Sequence, residues 1–395
     1  MKCNFLRQKD SKYSHKKYRH HKILDMKQFI PLLFLAFFLA FLAGANIYLA
    51  RRFSVYFDLQ NTRPLYFGFG FLTVFMIAGI AFFTNAEGSL VNLAYCTASI
   101  IMGFLLYLLL SVVATDLLRL IVKTKPQYYG IAALSLAVLI SGAGIWNAMH
   151  KRVRQVDLTI HSLNREITAV QLSDIHIGHF WGAKSLQKIV DQTNALSPDL
   201  VFITGDLFDG RIRLNTSSVE PLKQMNAPIY FVEGNHDGYS GAAEIKKMLR
   251  EIGVHVLENE VAHFDELQII GLDHMRADNG TKNSHAPKHK STIQSTLNRL
   301  NIAANQPTIL LHHSPDGIEY ANQHGIDLYL AGHTHNGQLF PFNFVVKMVY
   351  KYNKGLHNYK GTNIYVSQGT GTFGPPMRVG TISEITQFNL KPHQQ

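Results

Sequence analysis

The sequence is poor in cysteine, in acid and in charge altogether. Of 395 residues only Cys3, in a charged tail, and Cys96, in an apolar run, are cysteine, which excludes a disulfide framework and any multi-cysteine metal site. Charged residues make up 16% of the chain and hydrophobic ones 47%, a balance that excludes a disordered chain, a disulfide-stapled mini-protein and an ordinary soluble globule. Acid is scarcest at one end. Residues 1–150 hold 15 Lys or Arg against 5 Asp or Glu and residues 151–395 hold 23 against 22, so the net charge of +11 divides into +10 and +1. A nucleic-acid footprint needs its excess positive charge on the part that folds in water, and that part is nearly neutral. No nucleic acid is expected as a partner.

What the first part does have is uncharged apolar length. Four stretches, near 28–50, 65–84, 90–115 and 128–149, each reach the roughly 20 residues that cross a bilayer as helix. A buried core helix rarely lacks a polar face over five turns. The expected organisation is a basic tail at 1–27, four transmembrane helices within 28–150, and a folded domain over 151–395, making a multi-pass membrane protein with the lipid bilayer as partner. Ala43-Gly44-Ala45 superficially resembles a signal cleavage site, but the run is too long for a signal core and three more spans follow it. Four spans put both ends on one side. Nine Lys or Arg in 1–27 with Lys151, Arg152 and Arg154 give twelve for ends inside the cytoplasm, against six from Arg51, Arg52, Arg63, Arg119, Lys123 and Lys125 for the reverse. A start at Met26 removes eight of the twelve, so the side stays open. His15, His20 and His21 in the tail read as part of a solvated arm facing anionic lipid rather than as metal ligands.

From about residue 155 the pattern changes to short β-rich runs alternating with helical stretches, the signature of a layered α/β domain. Strands are expected at 167–173, 199–204, 228–233, 268–272, 307–311, 326–331 and 363–367, and helices at 183–195, 217–226, 241–252, 291–302 and 316–323. Five strands run directly into polar clusters: Asp174-Ile-His176, Gly205-Asp206-Leu-Phe-Asp209, Gly234-Asn235-His236-Asp237, His312-His313 and Gly332-His333-Thr-His335. Each cluster alone is weak. The ends of strands in an open α/β sheet share one rim, however, so residues distant in sequence converge there, and the set together points to a metal centre.

The order DxH, GDxxD, GNHD, a single His and then GHxH resembles that of the calcineurin-like metallophosphoesterases over roughly 165–385. The resemblance is strongest to a membrane-associated branch that includes transmembrane proteins with a metallophosphoesterase domain and bacterial phosphodiesterases acting on lipid-linked nucleotide diphosphates. The late segment from Gly369 to Gly380 is similar to that branch as well. The resemblance implies an α/β/β/α sandwich, two divalent metal ions, and a phosphoesterase. Asp174, His176, Asp206 and His335 would hold one metal and Asp206, Asn235, His313 and His333 the other, with Asp206 shared. Carboxylate and imidazole donors suit Mn²⁺, Fe²⁺ or Zn²⁺, and such a pair lowers the pKa of a bound water and neutralises phosphoryl charge. His236 would protonate the leaving oxygen or stabilise the phosphoryl group, with a structural role as the alternative. Of the adjacent His312 and His313 only one can face the metals; His313 is chosen because it precedes Pro315 by two residues, as in the family's His-x-Pro pattern. Asp209 and Asp237 read as braces for ligands or loops, and His179 as a loop or rim residue.

The substrate is less legible. Residues 336–362 are rich in aromatics and Lys without one Asp or Glu, which reads either as a flap on the bilayer that guides an anionic lipid headgroup or as a partly buried insertion. The stretch 278–291, with His285 and His289, has loop chemistry. Three functions are compared: a membrane phosphoesterase cleaving a lipid-linked phosphodiester or diphosphate, a nucleotide phosphodiesterase or nuclease with an incidental anchor, and a non-catalytic receptor or scaffold keeping the fold. The first is preferred. The resemblance suggests a UDP-diacylglucosamine-type substrate most specifically and the bacterial inner membrane as location, while metal identity and oligomeric state stay open.

Overall fold

The four apolar runs fold as four long helices in the computed structural model, which describes residues 29–160, 163–281 and 291–393. The basic tail with His15, His20 and His21, and the segment with His285 and His289, lie outside the described residues. The helices are α1 (Phe29–Tyr56), α2 (Arg63–Phe83), α3 (Ser89–Leu118) and α4 (Pro126–Met149), and all four are long and apolar enough to cross a membrane. Pro64 and Pro126 stand in first turns, where an amide N–H has no helical partner to lose. Phe34, Phe67, Phe82 and Leu90 point outward and exposed. Leu49, Phe53, Val112, Ala133 and Ala137 pack inside, the small ones letting backbones approach closely. Charge within the bundle is partnered: Asp116 pairs with Arg52 and accepts from the Tyr48 and Tyr56 hydroxyls, both at 2.6 Å.

From Lys151 the chain builds two six-stranded sheets. The first runs in the order β1 (Lys151–Ile160), β12 (Ser383–Pro392), β2 (Ile167–Leu172), β3 (Leu200–Thr204), β4 (Ile229–Val232), β5 (His255–Val256); the second runs β10 (Gly355–Tyr359), β11 (Thr362–Val366), β9 (Leu328–Ala331), β8 (Thr308–Leu311), β7 (Leu267–Gly271), β6 (Glu260–Phe264). β2, β3 and β4 are parallel neighbours, as are β7, β8, β9 and β11. Their almost uninterrupted apolar sequences fit burial on both faces. Phe202, Tyr230, Ile309, Leu328, Tyr365 and Phe388 fill the space between the sheets. On the first sheet's other face lie α5 (Ala183–Asn194), α6 (Thr216–Val219), α7 (Asn235–Ser240) and α8 (Ala242–Glu251), with Leu186, Ile189, Ile245 and Leu249 packed against Val170 and Val201. α9 (Ile293–Leu297) and α10 (Ile318–Gln323) cover the second through Ile293, Leu297 and Ile318. α11 (Phe342–Val349) stands apart with no buried residue. The layers are helix, sheet, sheet, helix, as expected.

Two helices differ from the sequence reading. The stretch 217–226 breaks into α6 and a 3₁₀ turn at Glu220–Gln224, because Pro221 has no N–H to continue an α-helix. The stretch 291–302 shortens to α9. Its start is capped by Thr292 and Ser295, but Ala303 exchanges two hydrogen bonds with the side chain of Gln268 on β7, both at 2.9 Å, and this draws the chain away from the helix axis. Five strands were not foreseen: β1, β5, β6, β10 and β12.

Three loops, carrying Arg378, Phe340 and His179, fasten the sandwich to the bundle. Asn147 of α4 donates to the carbonyls of Arg378 and Thr381 at 2.9 and 2.8 Å, and the Arg378 amide donates to Gly144 O at 2.9 Å. The Tyr107 hydroxyl of α3 donates to Phe340 O at 3.2 Å. His179 stacks on Tyr95 with ring centroids 3.9 Å apart and contacts Asn92 and Thr84 O, so it is a docking residue between sandwich and bundle.

Candidate metal centre

The five polar clusters all emerge on one rim. β2 leads to Asp174 and His176, β3 to Asp206 and Asp209, β4 to Asn235 and His236, β8 to His312 and His313, and β9 to His333 and His335. Asp174, His176, Asp206, His333 and His335 all have φ between 47° and 70°, a left-handed conformation uncommon outside glycine and a form of strain that concentrates at functional sites. Gly332 is needed for close approach: a Cβ there would run into Ser173 Oγ and Asp174 Oδ2.

Three groups of ligand atoms form, each within 4.8 Å; one is His176, Asp209 and His236, and the two that match the expected metal positions are Asp174, His176 and His335, and Asp206, His313 and His333. Asp206 stands between them, its Oδ2 3.1 Å from His313 Nε2 and 3.9 Å from His176 Nε2, while its Oδ1 accepts the His236 amide at 2.8 Å. Asn235 is buried at the same rim, and its Oδ1 has no hydrogen-bond partner among the described residues. His176 Nε2 and His335 Nε2 are 3.0 Å apart, a separation that subtends about 90° at an ion held at roughly 2.1 Å from each nitrogen. Buried carboxylates without a matching cation are costly. The donor set therefore fits two divalent cations that share Asp206.

The charges and burial at the rim shift its groups in both directions. Burial alone would lower His313, but the Asp206 charge and hydrogen bond outweigh it and push the imidazole up to about 9. Burial would raise Asp206, yet the neighbouring His313 holds it well below the usual carboxylate range. His176, buried and beside His236 and His335, falls to about 3. His236 is lifted to about 9: against burial, its Nδ1 lies 3.0 Å from Asp209 Oδ1, and the Asp206 charge adds to that.

Behind the ligands stand fixed partners. His313 Nδ1 donates to Thr204 O at 2.8 Å, and His333 Nε2 lies 2.9 Å from the Tyr350 hydroxyl. Arg378, itself buried, places Nη2 3.1 Å from His335 Nδ1 and donates to Gly371 O at 2.7 Å. His312 turns away from the ligand group, between the Met275 amide, Ser314 O and the Tyr329 hydroxyl. Asp237 accepts the amides of Phe208 and Gly234 at 3.0 and 2.9 Å and so braces two ligand loops. Sequence reasoning assigned no role to three residues of this shell. Arg378 is the only charge in 369–382, a signal that was present. His274 follows β7 and stacks among His312, His313 and His333 at centroid distances of 5.6–5.9 Å; it extends the strand-end pattern to a sixth strand. Nothing in the pattern marks Tyr350.

A cavity of about 600 Å³ opens from this rim into the helical bundle. Its polar end is Asp206, Asn235, His236, His333 and His335. Its walls are mostly apolar: Phe38, Leu42 and Leu49 of α1, Met76 of α2, Leu105, Leu106 and Leu109 of α3, and Phe342, Val345 and Val346 of α11. The stretch Phe38–Leu49 alone runs about 16 Å along its helix.

Residues 167–337 match the family model for calcineurin-like phosphoesterases. The chain carries a calcineurin-like metallophosphoesterase domain. It is 34% identical over 278 residues to a transmembrane protein with metallophosphoesterase domain from Danio rerio, covering 66% of this chain and 62% of that one. An uncharacterized metallophosphoesterase of Helicobacter pylori is 33% identical over 62% of this chain and 65% of its own, so the chain spans just under two thirds of these two relatives. One of Campylobacter jejuni is 29% identical over 88% of this chain and 95% of its own length. With four apolar helices ahead of its metallophosphoesterase domain, and a relative named as transmembrane, the chain is a membrane protein.

Proposed function

We propose that this protein is a metal-dependent phosphoesterase that cleaves a phosphodiester or diphosphate bond of a membrane lipid, working as a multi-pass protein of the bacterial plasma membrane. The observation that carries the lipid reading is the cavity, polar at the ligand rim and mostly apolar between the long helices, where Asn46 and Thr73 hydrogen-bond to each other in its wall. A headgroup phosphate fits the first part, and each methylene drawn into the second contributes roughly 0.8 kcal/mol.

Asp174, His176, Asp206 and His335 would hold one ion and Asp206, Asn235, His313 and His333 the other, with Mn²⁺, Fe²⁺ or Zn²⁺ matching these donors. When bound, such a pair supplies an activated water and neutralises charge on the phosphoryl oxygens. The chain's own part is to orient and to move a proton. The Asp206 carboxylate is aimed by the His236 amide. His236, at the cavity floor and held by Asp209, carries its proton at neutral pH and delivers it to the departing oxygen. The apolar walls exclude water from the lipid's tails.

The test is turnover by detergent-solubilised protein with Mn²⁺ on bis(p-nitrophenyl) phosphate, comparing wild type with Asp206→Ala and Asn235→Ala, followed by paired lipid substrates and their deacylated headgroups. The pairs include a UDP-diacylglucosamine-type diphosphate and a glycerophospholipid. Loss of turnover in both variants is expected, together with at least a hundredfold higher kcat/KM on one lipid than on its headgroup, about 2.7 kcal/mol. Equal kcat/KM within every pair overturns the lipid reading and leaves the phosphoesterase standing.

A further inference from the structure

Among the described residues, α11 is the one helix of the sandwich without a buried residue. One face lines the cavity through Phe342, Val345 and Val346. The other presents Phe344 and Met348, which are 57% and 79% exposed. Large apolar side chains grouped in this way mark a contact surface rather than a solvated one. The occupant is indicated by continuity: α11 forms a wall of the same cavity as Phe38 and Phe41 of α1, and α1 is a membrane-crossing helix by length and composition. The chain that follows α11 adds Lys351, Lys354 and Lys360 with no acid through Thr362, as suits the anionic headgroup layer beside the hydrocarbon. At the C-terminal end of the helix Tyr350 places its hydroxyl 2.9 Å from His333 Nε2, ring against ring at 5.6 Å. A histidine that ligates through one nitrogen is fixed by what the other contacts, and such partners set metal affinity.

We propose that α11 is a bilayer-seated lid over the cavity, and that Tyr350 couples its seating to the second metal position by fixing the His333 ring. The proposal rests on reading the rim as a two-metal centre and does not depend on which substrate is cleaved. Seating the outer face of α11 in hydrocarbon holds its end, and therefore Tyr350, at the position where His333 points toward Asp206 and His313. The bilayer then acts as a structural part of the metal site, and Tyr350 is a positioning residue.

The full chain in nanodiscs of brominated phosphatidylcholine and phosphatidylglycerol provides the test. Met348→Trp is expected to gain bromine-quenched emission above that of the parent protein. In Mn²⁺ titrations read by electron paramagnetic resonance, Tyr350→Phe is expected to keep one site at wild-type affinity and weaken the other by about 10–100-fold. The retained site reports that the variant is folded. Met348→Asp, which drives the outer face from hydrocarbon, should produce the same selective loss. Unquenched emission from Met348→Trp overturns the proposal, as do wild-type affinities at both sites, or equal loss at both, in Tyr350→Phe. Failure to hydrolyse any lipid changes none of these readouts and bears only on the proposed function.

Discussion

His236 separates binding from proton transfer. It touches no metal ligand through its ring except by packing edge-on to His176, with centroids 4.8 Å apart, so His236→Ala should leave metal stoichiometry unchanged. On a substrate with an alkoxide leaving group kcat should fall by about 10²–10⁴, and on a p-nitrophenyl ester, whose leaving group needs no proton, by far less. Steady-state kinetics on the two substrates decide it, since equal losses would assign His236 to orientation instead. Lys246 carries a different burden. Its ammonium lies 2.7 Å from Glu233 and Glu258 and 2.9 Å from Asp273, with its side chain 9% exposed. Lys246→Met strands these carboxylates together and should cost on the order of 3 kcal/mol in a denaturant or thermal melt. The pH dependence follows from the signs. In the wild type, against burial, Lys246 and Arg250 hold Glu258 below its ordinary value, so its contribution is present above about pH 4.5 and is lost as pH falls through the lowered value. In the variant Glu258 keeps Arg250, but Glu233, which burial already raises, loses its cation, and protonation relieves it. The stability gap should therefore narrow as pH drops from 7 toward 4, and a gap that widens would contradict the assignment. The ligands themselves were legible because each directly follows a strand. Arg378 and Tyr350 were not, because they act on histidines 43 and 17 residues away, and only folding brings them near.

The elements that mattered most to the sequence reading were strands that end in polar residues, where an apolar run stops abruptly at the rim. The membrane helices were legible for the opposite reason, since nothing polar interrupts them. β1 escaped notice because it is a largely exposed edge strand of mixed charge, and α11 because eight residues make only about two turns, too few for the polar edge of Asn343 and Lys347 to stand out as a helical period. What no periodicity conveys is how α4 meets the loop that carries Arg378. At Gly144 an added Cβ would stand 2.8 Å from Val379 Cγ2 and 3.3 Å from Met377 Cβ, whereas at Gly142, half a turn away, nothing lies within 4 Å. Gly144→Val should overpack this contact at about 1–3 kcal/mol, lowering the thermal midpoint by roughly 5 °C, with Gly142→Val near wild type. Both variants change helix propensity equally, so parallel thermal scans isolate the contact. Equal midpoints would mean that the loop and α4 yield without cost.

At the scale of the molecule, the bundle and the sandwich complete each other's chemistry. The loop that holds Arg378 against His335 is fastened on its other side to α4, by the Asn147 amide at 2.9 and 2.8 Å and by the Gly144 carbonyl at 2.9 Å. Met377 and Leu339 are buried against Tyr107 of α3. Expressing residues 151–395 without the helices removes these bonds and uncovers those side chains, but it leaves both sheets and all seven candidate ligands in place. Because the sheets supply the strand ends, the isolated domain should keep its secondary structure by circular dichroism. Because Arg378 donates to Gly369 O and Gly371 O, and the Gly371 amide in turn holds Asp174 O, losing its anchor frees the Asp174 loop, and the position formed by Asp174, His176 and His335 should bind Mn²⁺ about 10–100-fold more weakly than in the full chain, the range seen when an outer contact of a ligand is lost. Arg378→Met in the full chain should reproduce that loss. Two isotherms, one on the full chain and one on the isolated domain once circular dichroism shows it folded, are enough to decide it. If the isolated domain binds Mn²⁺ as tightly as the full chain, the helices serve substrate access alone, and the metal centre is a property of the sandwich by itself.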